Sequence, residues 1–361
     1  MFCKQPKGRI HAMNATSFKV VLIVITLLWT TVSSEQTPIE QHGRLTVDGT
    51  MIIDQHGNPV QLRGMSLFWS QWMGKYYNAK VVDWLVDDWK VTVVRAAMGV
   101  KHEETRSGYI YDKSEAQKLH KIIDAAIKRG IYVIIDWHDH YACKNIKESK
   151  TFFKEIAARY GNYPNVIYEI FNEPVWDSWK EKVKPYSETI VQAIREIDPD
   201  NLIIIGSPHW CQDIDIAADD PLEGKNLVYA LHFYAASHGD DLRLKAVYAM
   251  QKGIVLFASE FGTSLATGDG FLDSAETESW FAFMDSHSIS WCNWSIADKK
   301  ETASALVPGA RPYGCWNMND LTPSGRIIRL KCRQYAGFHD PEQKPVEKKQ
   351  KKHWLSIKAI E

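Results

Sequence analysis

Eight continuous apolar runs, amphipathic stretches of helical period between them, and a span of about 270 residues predict an α/β fold: a closed (β/α)8 TIM barrel, one domain behind an N-terminal hairpin. Runs without polar alternation suit strands buried on both faces, as in a parallel sheet covered by helices. An open, doubly wound sheet is the rival fold. That fold usually announces itself by a Gly-rich phosphate loop after its first strand, and "RGMSLFWSQW" is not one.

The elements follow in order. "RLTVDGTMIIDQHGNPVQLRG" alternates around Asp48-Gly49 and His56-Gly57-Asn58-Pro59 and reads as a hairpin. The strands are expected at 61–67, 91–98, 132–138, 166–173, 202–207, 227–234, 254–261 and 289–296. "SEAQKLHKIIDAAIKRG" opens on a Ser cap, keeps helical spacing and stops at Gly130. "KESKTFFKEIAARYG", "KEKVKPYSETIVQAIREI" and "TPSGRIIRLKCRQY" read as helices in the same way. This barrel is expected over 35–336.

Two flanking segments differ from it. Lys19 precedes an uncharged run from Val20 to Ser34, too short for a span of about 20 residues and suited to a signal peptide. Segment 1–34 is therefore a leader, with small residues at Thr31-Val32-Ser33-Ser34 for cleavage, and secretion to the extracellular side is expected. Met13 is an alternative start, and retention as an anchor is the alternative to cleavage. The Lys-rich stretch 337–361 reads as a flexible tail, its "EKKQKK" as a solvated charge run.

Composition narrows the function. A formal net charge of −1 gives no reason to expect nucleic acid. With 14 Trp and 15 Tyr the chain holds more aromatic surface than a core alone requires, as a cleft for sugar rings would. The cysteines have no zinc spacing, so no metal is expected. Cys315 and Cys332 are candidates for a bridge, and Cys292 reads as a small core residue.

The chemistry sits at the strand ends. In a barrel of this kind the C-terminal strand ends build the site. They carry Arg95, Asp136-Trp137-His138, Asn172-Glu173, His232-Phe233-Tyr234, Glu260 and Trp294. Each has an ordinary reading: Arg95 as an internal ion-pair partner, Asp136 as a loop anchor, His232 as a core histidine. Together they are harder to dismiss, because buried carboxylates cost free energy unless paired. Glu173 and Glu260 lie on strands four and seven, across the barrel mouth. Two carboxylates without a metal suit glycosidic bond cleavage, one protonated to assist the leaving oxygen and one charged to attack. Glu173, as the acid, is expected to have the higher pKa of the two.

"IFNEP", "ASEFG" and "DWH", with "VQLRGMSLFWSQW", "VVRAAM", "ALHFYA" and "WSIADK", resemble glycoside hydrolase family 5 over roughly 38–336. The closer likeness is to endo-β-1,4-glucanases (cellulases) of bacteria and plant-parasitic nematodes. The resemblance implies a retaining enzyme acting on β-glucan polysaccharide, without a cofactor. It makes Glu173 the general acid and base and Glu260 the nucleophile. It sets Arg95 and Tyr234 against the nucleophile and His138 and His232 around the cleaved bond. Asn172 would bind the 2-hydroxyl, and Trp294 would be a stacking platform with a cis peptide to Ser295. Trp72 and Lys299 would bind sugars on the non-reducing side. Gly99-Val100 and Phe68 depart from residues common in relatives. No cellulose-binding module is evident after the barrel, so action on crystalline cellulose is not expected. A monomer without a protein partner is expected. A mannanase or xylanase of the same clan is the alternative enzyme, and an inactive sugar-binding protein the alternative outside catalysis.

Overall fold

The structure is a computed structural model that describes residues 36–338. The leader, and the tail beyond Phe338, lie outside the described residues.

The described chain begins on a short helix, Pro38–His42, closed at its N-terminus by reciprocal bonds between Thr37 and Glu40. Strands β1 (Thr46–Asp48) and β2 (Met51–Ile53) then pair antiparallel as the expected hairpin. Next come β3 (Arg63–Leu67), β4 (Val93–Gly99), β5 (Tyr132–His138), β6 (Val166–Glu169), β7 (Ile203–Ile205) and β8 (Leu227–Ala230). A two-residue β9 (Phe233–Tyr234), β10 (Leu256–Gly262) and β11 (Ser290–Ile296) complete the sheet. All its pairings are parallel, and β11 bonds to both β10 and β3, which closes the barrel. The run at 227–234 divides into β8 and β9, and β9 continues beside β10 toward the mouth.

Alternation along each strand sorts the interior from the exterior. On β5, Val133, Ile135 and Trp137 pack outward into the helix layer, while Tyr132 and Ile134 face the axis. The inward cluster joins Val93, Ile167, Ile204, Val228 and Phe257 to Leu45, Ile52, Val60 and Leu62, so the hairpin plugs the N-terminal end. The same inward row, continued upward, carries Arg95, Asp136 and Glu169. Apolar residues fill the bottom of the barrel and charged ones its top.

The helices expected at 114–130, 147–161 and 322–335 are present as Glu115–Arg129, Ile146–Tyr160 and Pro323–Tyr335. The stretch at 180–197 forms a π-turn, Trp179–Val183, leading into Lys184–Arg195. Gly130 ends its helix at φ 64°, as a left-handed cap requires. Ser114 does not cap that helix: its side chain makes no capping bond, and its N–H donates to Asp112 Oδ1 at 2.9 Å. Cys315 and Cys332 are both free thiols, the first exposed on a loop and the second buried on the last helix, so the candidate bridge is not formed. Cys292 is a core residue, as expected.

Candidate active site

Arg95 is the centre of the site. It is fully buried on β4 and reaches four strands. Its guanidinium donates to Glu169 on β6 at 2.6 Å and to Glu260 on β10 at 3.1 Å. It also lies 2.9 Å from Asp136 on β5 and donates to Asn172 Oδ1 at 2.5 Å and Ser66 Oγ on β3 at 3.2 Å. An isolated buried guanidinium would be untenable, and these carboxylates make its burial possible. Burial opposes the charge, but Asp136, Glu169 and Glu260 outweigh it and keep Arg95 firmly protonated.

Glu260 is aimed by an irregularity in β10. The register with β11 shifts between Ala258 and Phe261. Ser259 and Glu260, although consecutive, therefore both meet interior partners. Ser259 Oγ donates to Glu169 at 2.6 Å, and Glu260 accepts from Arg95 and from Tyr234 Oη, the latter at 2.9 Å. Bulges are a usual means of re-aiming a side chain beside a site.

Glu173 lies past the end of β6, where the chain keeps alongside β5 by two backbone bonds. Asn172 N–H donates to Trp137 O and Glu173 N–H to Asp139 O, each at 3.3 Å. Two imidazoles face the Glu173 carboxylate: His232 Nδ1 at 3.0 Å and His140 Nε2 at 3.2 Å. His232 Nε2 contacts Ser259 Oγ at 2.9 Å. A chain of hydrogen bonds thus runs from Glu173 through His232, Ser259, Glu169 and Arg95 to Glu260, joining the two glutamates beneath the cleft. Above it, oxygens of Glu173 and Glu260 and a nitrogen of His232 lie within 4.8 Å of one another. Two carboxylates and an imidazole at this spacing could in principle hold a cation. Here each glutamate is instead engaged by cationic or hydroxyl donors of the protein.

The protonation order is the reverse of the one expected. Burial pushes Glu173 up, yet hydrogen bonds from His140 and His232 outweigh it and leave the carboxyl below its usual range. Glu260 is raised, by burial first and then by the Glu173 charge, against Arg95, His232 and Tyr234. Burial lowers His232, but its bonds to Glu169 and Glu173 lift it to about 9. His140 is raised despite burial, by its bond to Glu173. The expectation weighed Arg95 and Tyr234 against Glu260 and left out the two cations at Glu173. At Glu173 the proton is therefore held on imidazole rather than on the carboxyl. His138 is driven the other way, by burial and by Arg95, and stays neutral against Asp136 at 2.6 Å.

The remaining sequence candidates fall around this core. Asn172 keeps a buried Nδ2 without a protein partner, a donor free to meet a substrate hydroxyl. Trp294 is only 5% exposed, lies parallel to the His138 ring at 5.1 Å and meets Phe68, and its peptide to Ser295 is cis. Trp72 is half-exposed beside Phe68 and His102. Lys299 pairs with Glu301 at 2.5 Å and sits over the Phe68 ring. Asn293 opens Asn293-Trp294-Ser295, a formal glycosylation sequon, but it is buried and donates to Phe261 O at 2.9 Å, so its amide is committed.

Four residues of the site escaped the sequence reading as participants. Glu169 sits in "VIYEIF", where one charge inside an apolar strand is the signal that could have found it. Ser259 precedes Glu260 and should have faced outward on strict alternation. His140 ends "DWHDH" on the loop after β5, held by Asp139, which accepts from Tyr141 N–H at 2.9 Å and Asn145 Nδ2 at 3.1 Å. Trp210 lines a cavity of about 440 Å³ with His140, Glu173, His209, His232, Tyr234 and His238; nothing in its short apolar surroundings marks it.

Comparison with known proteins agrees with this geometry. The family model for Cellulase (glycosyl hydrolase family 5) matches residues 53–300. Endoglucanase A of Evansella cellulosilytica is 47% identical over 289 residues, which are 78% of this chain and 58% of that protein. Endoglucanase N of Pectobacterium atrosepticum is 43% identical over 306 residues, 84% of this chain and 68% of that protein. The chain thus spans 58% and 68% of the length of these two relatives. A solved structure from Cytophaga hutchinsonii has 50% identity and a TM-score of 0.82, covering 84% of this chain and 98% of that one. The catalytic domain of Thermobifida fusca endoglucanase Cel5A has 36% identity and a TM-score of 0.78, covering 82% and 100%. With barrel, paired glutamates and matched length in agreement, the chain belongs to glycoside hydrolase family 5, the cellulase family.

Proposed function

We propose that this chain is a retaining endo-β-1,4-glucanase that cleaves internal bonds of cellulose and related β-glucans. The carrying observation is the opposed pair: Glu173 and Glu260 oxygens within 4.8 Å, one carboxylate facing imidazoles and the other facing Arg95 and Tyr234. Retaining glycosidases hold their carboxyl groups about 5–5.5 Å apart, whereas inverting ones leave about 6.5–9.5 Å for a water. Glu260, aimed by Arg95 and Tyr234, attacks the anomeric carbon. The proton held by His140 and His232 passes through Glu173 to the departing oxygen, and the glucosyl unit becomes bound to Glu260. Glu173, now a carboxylate, takes a proton from water as that water releases the sugar. Asn172 Nδ2 meets the 2-hydroxyl, where hydrogen bonds strengthen in the transition state.

The same reading takes the barrel as one catalytic domain over 35–336, exported by the leader over 1–34 and followed by a Lys-rich tail. The polysaccharide is its partner, and it acts as a monomer.

Proton NMR during hydrolysis of a cellooligosaccharide tests the mechanism: the β-anomer should appear first, and first appearance of the α-anomer would overturn it. Carboxymethyl-cellulose, mixed-linkage glucan, mannan and xylan assayed side by side test the substrate, with the two glucans expected to be cleaved fastest.

A further inference from the structure

Beyond the catalytic groups, an aromatic stack stands on the leaving-group side of the cleft. Trp176 lies three residues past Glu173 and is 78% exposed, the most exposed large apolar side chain among the described residues. It is nonetheless held in place. Its ring lies on His209, with centroids 5.6 Å apart and planes at 28°, and meets Trp210 edge-on at 5.2 Å. His209, Trp210 and Cys211 all have left-handed backbones, at φ 55°, 54° and 60°. Such a backbone is strained for a residue that carries a side chain. The turn is fixed to the segment after Glu173, His209 N–H donating to Val175 O and Trp210 N–H to Pro174 O, both at 2.9 Å.

This arrangement has a direction. Trp210 and His209 line the cavity that holds Glu173, and Trp176 continues the row outward. The other aromatic row, Trp294, Phe68 and Trp72, stands on the β11 and β3 side. Glu173 must lie on the side from which the leaving oxygen departs, so Trp176 belongs to the departing chain. A β-linked glucan presents the apolar C–H faces of flat rings, with hydroxyls at their rims. A rigid indole face loses little side-chain entropy when such a ring settles on it.

We propose that Trp176, stacked on His209 and braced by Trp210, is an outer platform for a glucosyl ring of the leaving chain. It rests on the β-glucanase reading and adds a site that the chemistry itself does not need. Trp176→Ala should leave kcat/KM on an aryl β-cellobioside unchanged, since that substrate ends before the platform. On cellohexaose kcat/KM should fall about tenfold, which is about 1.4 kcal/mol, with the cleavage position shifted, and Trp176→Phe should recover most of it. If the wild type cleaves both substrates and Trp176→Ala matches it on cellohexaose, the platform is overturned and the β-glucanase reading stands. If the wild type cleaves neither, that reading falls and the platform with it. Unchanged cellohexaose kinetics together with loss of a wild-type dimer in sedimentation would give this face to a second copy, and the proposal would also fall.

Discussion

Glu173 is surrounded by its own proton source. Two imidazoles contact one carboxylate at 3.0 and 3.2 Å; His140 is raised by that contact, and His232 by Glu169 and then by Glu173. Hydrogen bonding to the charged form of an acid lowers its pKa, so removing one donor must raise it. His140→Asn is therefore expected to raise the pKa of the Glu173 carboxyl toward its ordinary range. Carbon-13 NMR of the labelled glutamate side chain checks this, and an unmoved titration would leave His232 as the donor that holds the carboxyl down. The same contrast explains what could be read in advance. Arg95, Glu173 and Glu260 stood out because a charge at the end of a buried strand demands a partner or a purpose. His140 did not, because it follows β5 on a loop, where a histidine carries no penalty. The two imidazoles at Glu173, of which only His232 was among the expected site residues, together invert the expected order of the two acids.

At the scale of elements, the tip of β6 depends on its neighbour. Gly206 follows β7, and a Cβ placed there would come within 2.3 Å of Phe171 O and 2.9 Å of Pro174 Cδ. Its backbone is ordinary, so the requirement is for space alone. Gly206→Ala should push the Phe171–Pro174 segment outward and carry Asn172 and Glu173 off their partners. Overpacking of this kind costs about 1–3 kcal/mol, and kcat should fall together with the melting temperature. A variant that melts lower but keeps wild-type kcat would show that the segment absorbs the strain without moving Glu173. Elements were legible where their pattern was strong. All eight barrel strands were readable as apolar runs, since parallel strands are buried on both faces. The helices Asp240–Gln251 and Ser274–Ser286 were not, because the first lacks a continuous apolar stripe and the second bunches its apolar residues as "WFAFM". The shift in β10 that aims both Ser259 and Glu260 inward leaves no mark in a hydrophobic pattern.

Over the whole molecule, stability and chemistry occupy opposite ends of one barrel, as conserving a fold while varying a mouth requires. The hairpin residue Ile52 is 2% exposed in the apolar plug, far along the axis from the glutamates. Ile52→Ala should cost about 2–5 kcal/mol of stability and leave kcat unchanged at a temperature where the variant is folded. Chemical denaturation paired with steady-state kinetics checks both halves. Arg95 has a consequence of another kind, for how the chain assembles. Its partners come from β3, β5, the end of β6 and β10, segments spread from Ser66 to Glu260 in the sequence. A half-wound barrel of β3 to β6 would supply Asp136 and Glu169 but leave the guanidinium short of Glu260, so Arg95 ties the late strand β10 to the first half of the barrel. Native-state hydrogen exchange should therefore find the amides of β4, β5, β6 and β10 opening together as one cooperative unit, while separate exchange of β10 would mean that Arg95 tolerates an open ring.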